Sequence, residues 1–408
     1  MSRPLDAIRV LDLSHVIAGP FASFYLAQLG AQVIKVESPR GGDIMRSRKP
    51  QSSDGTPPDY VALNAGKRSL AVDIRTPEGA SIIHKLAADC DVFIENFRPG
   101  VVAKYGLDYQ SIAQIKPDIV YCSISGYGQS GAWKQRGAYD HVVQALTGMM
   151  MANGEPDSPP VKVGFPVVDV AVGMLGALAI NAALHRHAKT GQGQYIDVSM
   201  VQAALTLMYP DVTTCLNTAQ EPPRVGNRGH SGSPTADTYR CADGWLSIAA
   251  NTPEQFRKLT AMLGCEFLCE DGRAIDLESF QAEGGGFVVA RDLDYVRSQF
   301  QQRFAPCRAA EMEERLNAAG IPAARVRRIG EFLEELDRDH TVQIDGGAYQ
   351  QDGQRLIRTS GLGYRDAFDG ELPVTGAERL GQSTRDILQG LGMADERIEE
   401  WLAQGIVR

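Results

Sequence analysis

The chain has 408 residues, 43% hydrophobic and 22% charged, the usage of an ordinary globular protein. This excludes a disordered chain, a coiled coil and a collagen-like repeat, and at about 150 residues per domain it predicts two or three domains. Lys and Arg number 41 against 50 Asp and Glu, a net charge of −9, so nucleic acid is not an expected partner and an anionic ligand needs a local basic pocket.

The chain opens as β-α-β. Residues 8–13 form a short apolar strand, Pro20 suits the first turn of a helix ending near Leu29, and QVIKVE (32–37) is the next strand. Further strands are expected at 70–74, 91–95, 119–124 and 195–198, with helices at 78–88 and 109–115. Alternation of this kind predicts a mostly parallel, doubly wound α/β sheet. Residues 167–184 are apolar except Asp169 and Asn181. Their Gly and Ala content favours a buried helix over a membrane span. Prolines and glycines at 210–234 predict a linker into a smaller domain. There WLSIAA (245–250) reads as a strand and 253–263 as a helix with Thr252 as N-cap. Helices at 331–336, 383–391 and 395–403 complete the chain.

Seven scattered cysteines suit reduced thiols and a cytoplasmic protein. Cys265 and Cys269 lack a second pair at zinc spacing, so no metal is expected. The N-terminal MSRPLDAIRVLDLSH lacks the apolar run of a signal peptide.

The loop after the first strand, SHVIAGP (14–20), has one of the three glycines of a dinucleotide fingerprint. Glu37 imitates its ribose-binding acid, but a nicotinamide cofactor is disfavoured. Basic residues gather after the predicted strands: Arg40, Arg46, Arg48, Lys49, Lys67, Arg68, Arg75, Arg98, Lys104, Lys134 and Arg136. They read equally as a pocket for a phosphorylated cofactor or as a solvated face. Asp169, inside VGFPVVDVAVGMLGALAI, is the sharpest anomaly, because a buried carboxylate is costly unless paired or functional. On a helix, Gly173 and Gly176 share its face and leave a shallow groove where a backbone or ligand can approach. The alternative is a plain N-cap after Pro166. GHSGS (229–233) reads as a lid or a linker turn, and Gly284–Gly286 as a surface turn.

Eight segments, in order, resemble the class III CoA-transferases, the group that includes formyl-CoA transferase. They are DLSHVIAGPFASFYLAQLGAQVIKVESPRGGD (12–43), NAGKRSLAVDI (64–74), DVFIENFRPG (91–100), IVYCSISGYGQSG (119–131), YDHVVQALTG (139–148), TGQGQYIDVSM (190–200), VGNRGHSGSP (225–234) and LGQSTRDIL (380–388). The resemblance implies an interlocked, ring-like dimer. Each chain would have a Rossmann-like large domain from both ends (1–200 and 346–408), linkers at 201–225 and 326–345, and a small α+β domain at 226–325. It implies that Asp169 is the nucleophile, with Val168 before it where the family has Ala. It carries CoA contacts onto His15, Val16, Arg40, Val72, Asn96, Phe97, Arg98, Lys104 and Tyr139. Lys104 replaces a frequent Arg. Arg75 and Arg136 complete the candidate CoA set, and Gly229, His230, Ser231 and Gly232 are the candidate lid.

The implied activity is transfer of CoA from an acyl-CoA to a carboxylic acid through an aspartyl anhydride and an aspartyl-CoA thioester, with no metal or redox nucleotide. Arg224, Arg228 and Lys162 suggest a second substrate carboxylate, as in succinyl-CoA. Expected partners are these small molecules and a second copy of the chain, without nucleic acid or membrane. An acyl-CoA racemase or isomerase, or the CoA-binding subunit of a heteromeric transferase, are the alternatives. Related racemases have a His before the Asp of the YD element, whereas here Tyr139 stands there and His141 follows, which favours transfer.

Overall fold

A computed structural model describes residues 3–49, 55–281, 286–340, 342, 346–351, 355–364 and 375–408. The chain divides into two compact units: Met1–Met150, Lys162–Pro222 and Ile344–Arg408 in the first, Met151–Val161 and Pro223–Gln343 in the second.

The first unit holds strands β1 (Arg9–Asp12), β2 (Gln32–Glu37), β3 (Arg68–Ala71), β4 (Val92–Glu95), β5 (Val120–Ser125) and β6 (Gln194–Ser199). They form one parallel sheet in the order β3-β2-β1-β4-β5-β6. This two-sided winding has its switch point between β1 and β4, where loops leave in opposite directions and open a crevice. The helices are α1 (Ala18–Gln28), α2 (Pro58–Asn64), α3 (Pro77–Ala88), α4 (Tyr109–Ile115), α5 (Asp140–Leu146), α6 (Met149–Ala152), α7 (Val167–Thr190), α8 (Met200–Leu207) and α9 (Tyr209–Thr218). After the second unit come the hairpin β10 (Ala348–Gln351) and β11 (Arg355–Arg358), then α15 (Thr384–Gly390) and α16 (Asp395–Ala403).

Apolar side chains of α1, α5, α7 and α8 cover one sheet face, and those of α3, α4, α15 and α16 the other. The C-terminus is tied to the β3 edge: Asp73 N–H donates to the Ile406 carbonyl at 2.8 Å, and Arg408 N–H to that of Ala71 at 3.1 Å. This explains why the strand expected at 70–74 ends at Ala71. Beyond it, Val72 bridges Val407 in the antiparallel sense and leaves the parallel ladder.

Helix α7 is long and apolar enough to cross a bilayer by composition alone. However, Val168, Val172, Gly176, Ile180 and Leu184 form a buried stripe along it. The expected groove beside Gly173 and Gly176 is filled. A Cβ on Gly173 would lie 2.7 Å from the Ala18 carbonyl oxygen, and one on Gly176 would touch Ala22 and Ile124. The backbone that approaches is that of α1. A Gly173→Ala variant is expected to lose about 1–2 kcal/mol in thermal or denaturant unfolding, because the clash outweighs the higher helix propensity of Ala. An unchanged midpoint would show that α1 yields freely.

The second unit pairs β7 (Asp237–Arg240), β8 (Trp245–Ile248) and β9 (Ala323–Arg325) in an antiparallel sheet. It also carries α10 (Pro253–Leu263), α11 (Leu277–Gln281), α12 (Leu293–Phe304), α13 (Ala309–Ala318) and α14 (Ile329–Asp339). Thr252 caps α10 as expected and completes a capping box with Gln255. The segments expected as linkers are largely helical: α8 and α9 lie in 201–225, and α14 in 326–345. Pro210 sits in the first turn of α9, where proline starts a helix instead of breaking one. Of the expected turn at Gly284–Gly286, Gly284 and Gly285 lie outside the described residues.

Candidate active site

A cleft of about 390 Å³ opens at the carboxyl ends of β1 to β4. Its lining includes His15, Val72, Arg75 and Phe97 from the candidate CoA set, with Ile74 and Tyr105 beside them. His15 and Phe97 leave the two strands flanking the switch point and meet edge to face, their centroids 4.6 Å apart. Asn96 clamps this contact. Its side chain accepts from His15 N–H at 2.9 Å and donates to the His15 carbonyl at 2.8 Å. Val16 holds a φ of +70°, costly for a branched residue. Both Asp43 carboxylate oxygens accept its N–H at 3.2 Å and keep it there.

Buried charges lie beneath this loop. Lys35 donates to the Ser14 carbonyl at 2.8 Å and pairs with Asp43 at 3.1 Å. Lys67 pairs with Asp12 at 3.3 Å and also bonds Ser23, Asn64 and the Pro20 carbonyl. Burial acts to raise the Asp12 carboxyl, but Lys67 and Lys35 prevail and hold it below its ordinary value. Glu37, the imitation of a ribose-binding acid, is committed elsewhere. Arg46 grips both its oxygens at 2.7 and 2.6 Å, and against burial that guanidinium and Lys35 bring it down to about 2.

The remaining candidates sit around the rim. Arg75 makes a two-pronged pair with Asp73, and Arg40 is exposed and close enough to Asp73 to help hold that carboxyl low. Lys104 lies on the turn beside Tyr105. Arg98 lies beside Gly137, where a Cβ would come within 3.0 Å of its guanidinium, and Arg136 stacks on Trp133 at 4.0 Å. Tyr139 is 73% exposed and stacks on His141.

Asp169 is the third residue of α7, inside its first turn, so it does not act as the N-cap. That position is Pro166, which offers no side-chain hydrogen bond. The cap comes from Asp140, whose Oδ2 accepts Val168 N–H at 2.7 Å and Asp169 N–H at 3.1 Å. Gln144, one turn along α5, donates to Asp140 and accepts Val163 N–H. The i, i+4 spacing in YDHVVQ therefore serves to brace the start of another helix. Neither residue was among the candidates. Burial first, and the neighbouring Asp140 charge second, raise Asp169 to about 6. The result is a partly buried carboxylate, ionised at neutral pH, whose helix packs through Gly173 on Ala18, three residues after His15.

The candidate lid belongs to the second unit. Gly229 N–H is taken by the Ala236 carbonyl at 2.7 Å, and the Ser231 hydroxyl donates to Asn251. Gly232 adopts a φ of +69°. Arg224 is no free carboxylate receptor, since it donates to the carbonyls of Asn153, Ser158 and Pro159 and to the Ser158 hydroxyl. Lys162 donates to a carbonyl, that of Val163, and Arg228 keeps only its Nε on one, that of Val225. Among the described residues no cluster of metal-ligating side chains occurs.

Residues 5–355 match the profile of CoA-transferase family III. The chain belongs to that family. It is 40% identical to the succinate–glutarate CoA-transferase of Agrobacterium fabrum over 276 residues, 66% of this chain and 69% of that one. It is 31% identical to the succinyl-CoA:glutarate CoA-transferase of Mus musculus over 414 residues, covering 99% and 90% of the two chains. A CAIB/BAIF family protein from Brucella suis has the same fold, with a TM-score of 0.83 and 29% identity over 96% of this chain and 100% of that one. This family III CoA-transferase is an enzyme acting on acyl-CoA.

Proposed function

We propose that this CoA-transferase moves CoA from succinyl-CoA to a second carboxylic acid, glutarate being the first candidate, with Asp169 as the nucleophile. The observation that carries the reading is the Asp169 carboxylate in the first turn of a helix that Asp140 caps and that packs against the segment entering the cleft. Relatives named for succinyl-CoA and a dicarboxylic acid support the substrate pair.

An Asp169 oxygen attacks the thioester carbonyl, the C–S bond breaks, and CoA leaves as thiolate. The thiolate then attacks the aspartyl carbonyl of the mixed anhydride, which frees succinate and leaves an aspartyl-CoA thioester. The acceptor carboxylate attacks that thioester, the C–S bond breaks and CoA thiolate leaves, and its attack on the acceptor carbonyl of the new anhydride forms the product acyl-CoA and returns Asp169 as carboxylate. A carboxylate is required because a hydroxyl or thiol cannot form an anhydride. His15, Phe97, Arg75 and the basic rim hold the CoA nucleotide. Two copies form the interlocked dimer, which covers exposed apolar residues such as Met174, Leu178 and Leu216. The seven cysteines are all free, which suits the cytoplasm.

The test is to incubate the protein with succinyl-CoA, quench with hydroxylamine, digest, and weigh the peptide spanning Asp169. A hydroxamate on Asp169 is expected. An unmodified peptide from a protein that binds CoA would overturn the nucleophile assignment. Deuterium exchange into an acyl-CoA without an acceptor acid would instead mark a racemase.

A further inference from the structure

The mechanism leaves the buried carboxylate of Glu95 unused. Glu95 ends β4 directly under the Asn96–Phe97 turn and is 2% exposed. It does not line the cleft. Its Oε2 accepts the Phe97 N–H at 2.8 Å. The sheet register pairs Glu95 with Ser123 on β5, and Ser123 with Asp197 on β6. The three side chains therefore form a row on one sheet face. Asp197, at the far end, accepts the Gln129 N–H at 2.9 Å and holds the loop after β5. Tyr195 donates to the Ser123 hydroxyl at 3.3 Å.

We infer that Glu95 is a positioning residue for CoA, its ionised carboxylate holding the Phe97 turn in the binding shape through this row. The turn carries both the ring that meets His15 and the amide that clamps its backbone. A slack turn therefore loosens two CoA-facing loops together. A charged acceptor makes a shorter and stronger bond than a neutral one.

The groups bearing on Glu95 are Ser123, Tyr121 and the buried Cys122 from β5, Asp197 and Tyr195 from β6, and the Phe97 N–H. No cation faces it among the described residues. Burial lifts its carboxyl to about 7 and Asp197 adds to the rise, while Ser123 and the Phe97 N–H oppose it. Glu95 therefore changes charge near neutrality. It loses its hold on the turn as pH falls through about 7 and regains it above.

The inference rests on the cleft being the CoA site. The test is CoA binding by calorimetry from pH 6 to 8, for the wild type and Glu95→Gln. At pH 8 the variant is expected to bind roughly five- to tenfold more weakly, the loss of about one charge-assisted bond. At pH 6 the two curves should converge. The KM for acyl-CoA should rise at pH 8 with kcat nearly kept. Titration of CoA's own phosphates is common to both proteins and cancels. Parallel curves, equal affinities or tighter binding by the variant would overturn the inference. If Glu95→Gln does not fold, Asp197→Asn carries the test, since removing that charge should move the wild-type inflection to lower pH. An unmoved inflection would overturn it equally. A wild type that binds no CoA at either pH would overturn the CoA site itself.

Discussion

Asp169→Asn is expected to lower kcat by at least about 10⁴-fold, the scale on which a covalent nucleophile acts. Binding of CoA should change little, because the cleft lining does not include this residue. The wild-type enzyme should also show an acid limb in its pH–rate profile. As the proposed nucleophile Asp169 must be ionised, and its carboxyl is raised to about 6. Activity is then complete well above that pH and is lost as pH falls through it. Burial is the larger cause of the rise and Asp140 the smaller. Asp140→Asn keeps an oxygen to accept the α7 N–H groups but loses the charge, so its limb should move to lower pH. Stopped assays of succinyl-CoA consumption would measure both. Residual turnover of Asp169→Asn near the wild-type rate, or a limb that Asp140→Asn leaves in place, would sink this account.

The second large effect concerns stability. Lys67→Met should cost about 3 kcal/mol or more, because it leaves the Asp12 carboxylate buried without its closest cation. In a unit of this size that corresponds to a Tm lower by roughly 5 °C or more. Adding Asp12→Asn should recover part of the loss, since the second substitution removes the stranded charge. The two penalties are therefore expected to be strongly non-additive in a double-mutant cycle. Additive losses, or a Tm for Lys67→Met equal to the wild type, would show that Lys35, Ser14 and Ser23 suffice for Asp12.

How much of this was legible beforehand depended on how local each signal is. The strand Gln32–Glu37 and the helices Tyr109–Ile115, Pro253–Leu263 and Asp395–Ala403 have the bounds read from residue pattern alone. Their caps, prolines and periodicity lie within a few residues of each other. Asp169 stood out because an acid in an apolar run is visible without a fold. Asp140 and Glu95 did not. One caps a helix that begins 27 residues later, and the other acts through side chains on two further strands. The segment 201–225 is more helical than its composition suggests, because proline in a first turn and proline in a break look alike in sequence.

By itself, then, the sequence determined the alternating α/β order, the family motifs and the acid on which the chemistry is proposed to rest. Only the tertiary structure decided what surrounds them. It filled the Gly173 groove with α1, committed Arg224 and Glu37 to partners within the protein, and set Asp140 against the start of the Asp169 helix. The physical reason is range: helix caps and strand patterns are fixed by neighbours along the chain. A carboxylate's burial, its nearest charge and its hydrogen-bond donors come from segments that meet only when the sheet closes.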